Sequence, residues 1–186
     1  MGYLWPMRIL FSVIILCLAS LPLHAAGQAY RLDPHTSRVG FIFDLGGEPS
    51  TGEMPVRAAE IALDFDDLSR SQINITVAAN KVRTGFLLAT EALRAANMLD
   101  TRRHPDTRFV SRKIFADGTK ARIEGDLTVR GKTHPQVLNA ELFRQRGTDA
   151  GDRSKLTVRL TGTLDRHAFG ASAYADWVGS EVELDI

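Results

Sequence analysis

From Tyr30 to the last residue the chain alternates apolar and polar side chains with a period of two, the pattern of strands that bury one face. Val39, Phe41, Phe43 and Leu45 alternate with Arg38, Gly40, Ile42 and Asp44. Ile61, Leu63 and Phe65 alternate with Ala62 and Asp64, and Ile73, Ile75 and Val77 with Asn74 and Thr76. Further on, Ile123, Leu127 and Val129 oppose Arg122, Glu124, Asp126, Thr128 and Arg130, while Leu138, Ala140 and Leu142 oppose Asn139 and Glu141. Leu156, Val158, Leu160 and Leu164 oppose Thr157, Arg159, Thr161 and Thr163; Val182, Leu184 and Ile186 oppose Glu181, Glu183 and Asp185. Between Phe109 and Phe115 the apolar positions change face midway, as a β-bulge makes them do.

Turn residues separate these runs: Asp33-Pro34, Gly46-Gly47, Asp117-Gly118, Gly131, and Gly147 to Gly151. One segment reads as helix, Phe86 to Leu99, with Leu88, Ala92, Ala95, Ala96 and Leu99 near helical spacing among unbranched neighbours. The fold class is therefore all-β with one inserted helix, in a single domain over residues 30–186. About eight short antiparallel strands fit either a sandwich or a closed barrel. A barrel of that size has an interior that side chains fill or that one small ligand occupies, and periodicity does not choose between them.

The N-terminus breaks the pattern. Arg8 precedes the apolar run Ile9 to Leu21, which is followed by Pro22 and the small residues Ala25, Ala26 and Gly27. That order is a secretory signal peptide, expected over residues 1–26 with cleavage between Ala25 and Ala29, which places the mature protein in the periplasm. The run is short for a bilayer span of about 20 residues. The single cysteine, Cys17, lies inside it and lacks the small preceding residues of a lipoprotein cleavage box. A mature chain without cysteine has no disulfide, thiol nucleophile or cysteine-ligated metal.

Composition narrows the function by exclusion. The formal net charge of +1 comes from scattered basic residues, which argues against nucleic acid as the main partner. His35, His104, His134 and His167 stand at no metal-ligand spacing, and two of them precede proline; turn or strand-end roles are expected, with no metal. No Gly-x-Ser-x-Gly elbow or phosphate-binding glycine loop occurs. Glu124 and Asp126 share a strand face, but alternation turns that face to solvent, so no catalytic residue is assigned.

Several segments resemble the YceI-like family of secreted bacterial proteins, also called polyisoprenoid-binding proteins. They are Tyr30 to Ser37 leading to Val39 and Phe41; Met98-Leu99-Asp100 with His104-Pro105, Phe109 and Ser111; and Gly125 to Val137. The last are Gly162 to Arg166, Phe169-Gly170, and Val178 to Val182. They span the mature chain in the family's order. The resemblance implies a lipocalin-like, eight-stranded antiparallel barrel with a helix. Its lumen would hold an isoprenoid chain of the ubiquinone or polyprenyl type, with no catalytic cofactor. Asp44, Met54 and the apolar Phe86-Leu87-Leu88 depart from the pattern of many relatives.

A chain of some forty carbons would gain on the order of 30 kcal/mol by leaving water, at about 0.8 kcal/mol per methylene. That exceeds the ceiling of about 21 kcal/mol for any non-covalent affinity, so the sum overshoots, but such a lipid does not cross water unaided. Alternation assigns Phe41, Phe43, Ile75, Phe109, Leu127, Leu142, Val158 and Leu160 to a lumen, with an ordinary packed core as the alternative. Arg38 and Arg166 are candidates for a ligand's polar end, since guanidinium matches phosphate or carbonyl oxygens; Arg166 alternatively pairs with a carboxylate and braces the Phe169-Gly170 turn. Phe169, Tyr174 and Trp177 are placed at the rim. The expected function is a non-enzymatic periplasmic carrier whose partners are the lipid and, transiently, an inner membrane or a membrane cytochrome. A homodimer is left open. The other readings are a quinone-linked accessory of a membrane cytochrome or stress response, and a filled barrel serving as a protein-interaction module.

Overall fold

The computed structural model describes residues 27–144, 147, 149 and 151–186, so the expected signal peptide lies outside the described residues. Among the described residues eleven strands form one antiparallel sheet. In chain order they are β1 Gln28–Tyr30, β2 Val39–Leu45, β3 Glu48–Met54, β4 Val56–Leu63, β5 Gln72–Val77, β6 Arg83–Thr84, β7 Thr107–Asp117, β8 Lys120–Val129, β9 Lys132–Arg144, β10 Leu156–Asp165 and β11 Val178–Asp185. The single α-helix among the described residues, α1, spans Leu87–Arg94. Strand order is β1-β4-β5-β7-β8-β9-β10-β11-β2-β3-β6.

The ends of that order are joined by the chain itself. Residues 48–63 form one extended run interrupted at Pro55, where proline removes a ladder donor. Its first half, β3, pairs with β2, and its second half, β4, pairs with β5. One bent strand thus carries the sheet round on itself, giving a curled, lipocalin-like antiparallel barrel. The larger strand count has a simple origin: this strand is divided in two, and the short β1 and β6 are added at its edges.

Residues directly opposite across a ladder share a face, so the register traces the inner wall. Ala59 faces Ile75, Ile75 faces Phe109, and Phe109 faces Leu127; Ile123 faces Leu138, and Val158 faces Leu142. Leu160 faces Ala140, Leu164 faces Val182, and Leu184 faces Phe41. The expected change of face in β7 is a register shift between Ser111 and Lys113. Two glycines make room for aromatic rings on this wall. A Cβ on Gly52 would stand 2.2 Å from the Phe41 ring, and one on Gly125 would stand 2.5 Å from the Phe109 ring.

The helix is shorter than its spacing predicts. After Arg94 the chain turns extended at Ala95, and the amides of Leu99 and Asp100 donate back to the carbonyls of Leu93 and Ala95. Its rotation also differs. Thr90, bonded through its hydroxyl to the Thr84 amide (3.0 Å) and hydroxyl (2.9 Å), is the buried position, so Leu88 faces outward. Phe65 lies just past the end of β4 rather than inside a strand.

Candidate functional site: the barrel interior and its two ends

The interior contains two apolar clusters. One gathers Phe109, Ile114, Ile123, Leu127, Val129, Leu138 and Phe169; the other gathers Phe41, Phe43, Val82 and Val178. Leu99 and Leu184 pack against both. Of the residues assigned to the lumen, Phe41, Phe43, Phe109 and Leu127 are buried in these clusters. Ile75, Leu142 and Leu160 also belong to the inner face, yet they are only half-buried, as are Ile61, Leu164 and Val182. Leu160 and Leu164 pack against the first cluster and Val182 against the second, which leaves Ile61, Ile75 and Leu142 outside both. Val158 corrects the sequence reading. It faces inward opposite Leu142, but at 41 % exposure it belongs to the barrel mouth and not to the enclosed wall.

That mouth is bridged. Arg153, in the connection from β9 to β10, stacks over the Phe65 ring at 4.2 Å, and its carbonyl accepts from the Tyr30 hydroxyl at 2.8 Å. Tyr30 and Phe65 meet edge to face at 6.3 Å. Tyr30 is paired to β4, and β4 and β9 stand on opposite sides of the strand order, so the contact reaches across the opening.

The opposite end is closed by residues 78–106 and 166–178, and two arginines tie these segments together. The Arg166 guanidinium is 5 % exposed. It donates to the carbonyls of Gly179 (2.8 Å), Val178 (2.7 Å), Ala173 (2.9 Å) and Ala171, and touches the Met98 sulfur at 3.6 Å. Burial pushes its pKa down and Asp165 opposes this. Arg130 donates to the carbonyls of Gly170 and Ala96 (2.6 Å). Arg166 is therefore a brace, as the alternative reading had it, with backbone carbonyls in place of a carboxylate; its donors do not reach for a ligand. Arg38 does not join it. Arg38 is exposed just before β2, whose Gly40 faces Asp185 at the far end of β11, whereas Arg166 bonds to Ser180 near the start of that strand.

Phe169 likewise moves from rim to floor: it is buried, and the His134 ring meets it edge-on at 5.0 Å. His134 faces Leu127 inside β9 and is not a strand-end residue. Its place is set by the tight turn at Arg130-Gly131, which fixes the parity of β9. Tyr174 and Trp177 are exposed at this closed end and not at the bridged mouth, and Tyr174 holds a left-handed φ of 59°. Two further polar groups share the inner face. Gln136 donates to the carbonyls of Val137 and Thr163 (both 2.9 Å), and the Ser111 hydroxyl accepts from the Ile73 amide (2.9 Å). Glu124 and Asp126 pair on the outside with Arg122 (2.6 Å) and Arg112 (3.2 Å). Among the described residues no three histidine, cysteine or acidic side chains are gathered to hold a metal.

The family model for the YceI-like domain matches residues 30–186 of this chain. The chain belongs to the YceI-like family. Protein YceI of Escherichia coli is 30% identical over 182 residues, 94% of each chain. A UPF0312 protein of Pectobacterium carotovorum is 32% identical over 127 residues, which cover 67% of this chain and 66%, just under two thirds, of that relative. Among solved structures, Burkholderia cenocepacia BcnA shares this YceI-like fold with a TM-score of 0.72 at 19% identity, over 83% of this chain and 96% of that one. A polyisoprenoid-binding domain from Saccharophagus degradans has a TM-score of 0.55 at 11% identity, over 83% and 92%.

Proposed function

We propose that this YceI-like domain binds a long isoprenoid lipid in its barrel and serves as a non-enzymatic carrier. The observation that carries the reading is the half-buried state of inner-wall residues such as Ile75 and Leu142, which neither cluster covers and which leave apolar surface for an apolar guest. A guest that covers this surface gains about 25 cal/mol for each Å² removed from water. The solved polyisoprenoid-binding domain with the same fold supports the choice of ligand class. The polar groups on the inner face favour a tail with a small head over a charged one. Ser111 and Gln136 already have hydrogen-bond partners, and the Arg166 donors are engaged by carbonyls. A ubiquinone or a polyprenyl alcohol fits that description. The N-terminal run after Arg8 supports export to the periplasm, where such a lipid needs a carrier.

The test is uptake. Lipid-depleted protein is incubated with vesicles carrying a polyprenyl alcohol or ubiquinone, re-isolated, and extracted. Wild type is expected to return with stoichiometric lipid, and Ile75→Trp and Leu160→Trp, which fill the wall, with little while remaining folded. Equal lipid on all three proteins would overturn the reading.

A further inference from the structure

The half-buried inner-wall residues that neither cluster covers lie toward one end of the barrel. Ile61 stands directly opposite Tyr30 across the β1–β4 ladder, and Leu142 stands opposite Val158, the inward side chain at the mouth. Ile75 is a step further in, opposite Ala59 on the strand that carries Ile61. Tyr30 and the connection from β9 to β10 meet at this end, where the Tyr30 hydroxyl donates to the Arg153 carbonyl (2.8 Å). The apolar surface assigned to the guest therefore opens toward the bridge of Tyr30, Phe65 and Arg153, at the end away from the Arg166 floor.

At that bridge Arg153 is exposed, and among the described residues its guanidinium forms no ion pair. Two contacts fix its place. The Phe65 ring lies against the guanidinium at 4.2 Å, and the Tyr30 hydroxyl holds the main-chain carbonyl. Neither uses a guanidinium N–H, so the donors that suit a ligand oxygen are positioned without being consumed. The charge nearby is balanced: Arg31, Arg153 and Lys155 are set against Asp33, Asp66 and Asp152. Asp64 and Asp67, from the same turn as Asp66, are paired with Arg70, and Asp152 accepts from the Ser154 amide (2.8 Å). A phosphate would need an excess of cations that this end does not have. A neutral oxygen needs only one well-placed donor, and the rings of Tyr30 and Phe65 offer apolar surface to the carbons beside it.

We propose that Arg153, held over Phe65 and tied to Tyr30, is the head-group residue of the barrel: its guanidinium donates to a neutral oxygen of the guest, a quinone carbonyl or a polyprenyl hydroxyl, while the tail lies against Ile61, Ile75 and Leu142. This rests on the carrier reading above and adds which end of the guest meets which end of the barrel. The test separates head from tail with three probes. Lipid-depleted wild type, Arg153→Met and Arg38→Met are incubated with vesicles carrying ubiquinone, a polyprenyl alcohol, or squalene, an isoprenoid hydrocarbon without oxygen. The isoprenoid retained per protein is measured across a range of vesicle loadings. Wild type is expected to take up all three. Methionine keeps an unbranched apolar side chain without donors, so Arg153→Met is expected to weaken uptake of ubiquinone and the alcohol about tenfold or more and to leave squalene unchanged. Arg38→Met, which removes an exposed arginine outside the bridge, is expected to leave all three unchanged. Both positions are exposed, and unchanged circular dichroism and melting confirm that the variants fold.

A loss confined to ubiquinone would assign the donors to its carbonyls, and one confined to the alcohol to its hydroxyl. Arg153→Met that takes up both as well as wild type would overturn the proposal and leave the carrier reading standing. So would an equal loss of squalene, because Arg153 would then only hold the mouth in shape, or an equal loss in Arg38→Met. Wild type that takes up none of the three would overturn the carrier reading, and the head-group assignment with it.

Discussion

Arg166 decides at the residue scale what the closed end of the barrel is for. A guanidinium with free donors under an apolar lumen would be a phosphate site; one that donates to the carbonyls of Ala171, Ala173, Val178 and Gly179 is a structural tie. Lysine keeps the charge but cannot spread five N–H groups over four carbonyls. Arg166→Lys is therefore expected to cost about 2–4 kcal/mol in denaturant unfolding, since it leaves buried carbonyls unpaired beside a poorly solvated ammonium. A variant as stable as wild type would show that the carbonyls are satisfied without it. The motif around Arg166 was visible in the sequence, and so was the choice between brace and ligand contact. Its carbonyl partners were not, because backbone acceptors carry no side-chain signal. The same holds for Phe169, whose burial depends on where the turn at Arg130-Gly131 aims His134.

The bent strand, residues 48–63, is the feature at the scale of elements on which the curl depends. Its second half was legible in part, through Ile61 and Leu63, but β3 reads Glu-Pro-Ser-Thr-Gly-Glu-Met and shows no apolar alternation. Two of its inward positions, Ser50 and Gly52, are small, because the Phe41 and Phe43 rings stand opposite and occupy the space a larger side chain would take. A strand defined by what its neighbour needs is invisible to a pattern of its own residues. Gly52→Val is expected to displace the Phe41 ring and to destabilise by about 1–3 kcal/mol through overpacking, measured by thermal or denaturant unfolding. Unchanged stability with an unmoved ring would contradict the close approach. The helix was legible as an element but not in its face or length: spacing favoured Leu88 as a core position, and the Thr84–Thr90 hydrogen bonds turned it outward.

Alternation at the scale of the whole molecule specifies an all-β fold with an apolar inside, and the register bears this out strand by strand. Alternation is silent on whether that inside is solid, since a packed core and a ligand-holding wall have the same period. The structure gives a divided answer: the interior around Phe109, Ile123, Leu127 and Leu138 is packed, with Leu160 and Leu164 against it, while Ile61, Ile75 and Leu142 are half-buried on the inner face outside both clusters. The bridge of Tyr30, Phe65 and Arg153 lies over the mouth, and the exposed apolar side chains lie at the other end. The most direct measurement is mass spectrometry of an organic extract of the protein purified, without added lipid, from the compartment in which its host holds it. The account predicts an isoprenoid in near-stoichiometric amount with wild type and little with Ile75→Trp. Extracts that contain no isoprenoid, or the same trace from both proteins, would contradict it.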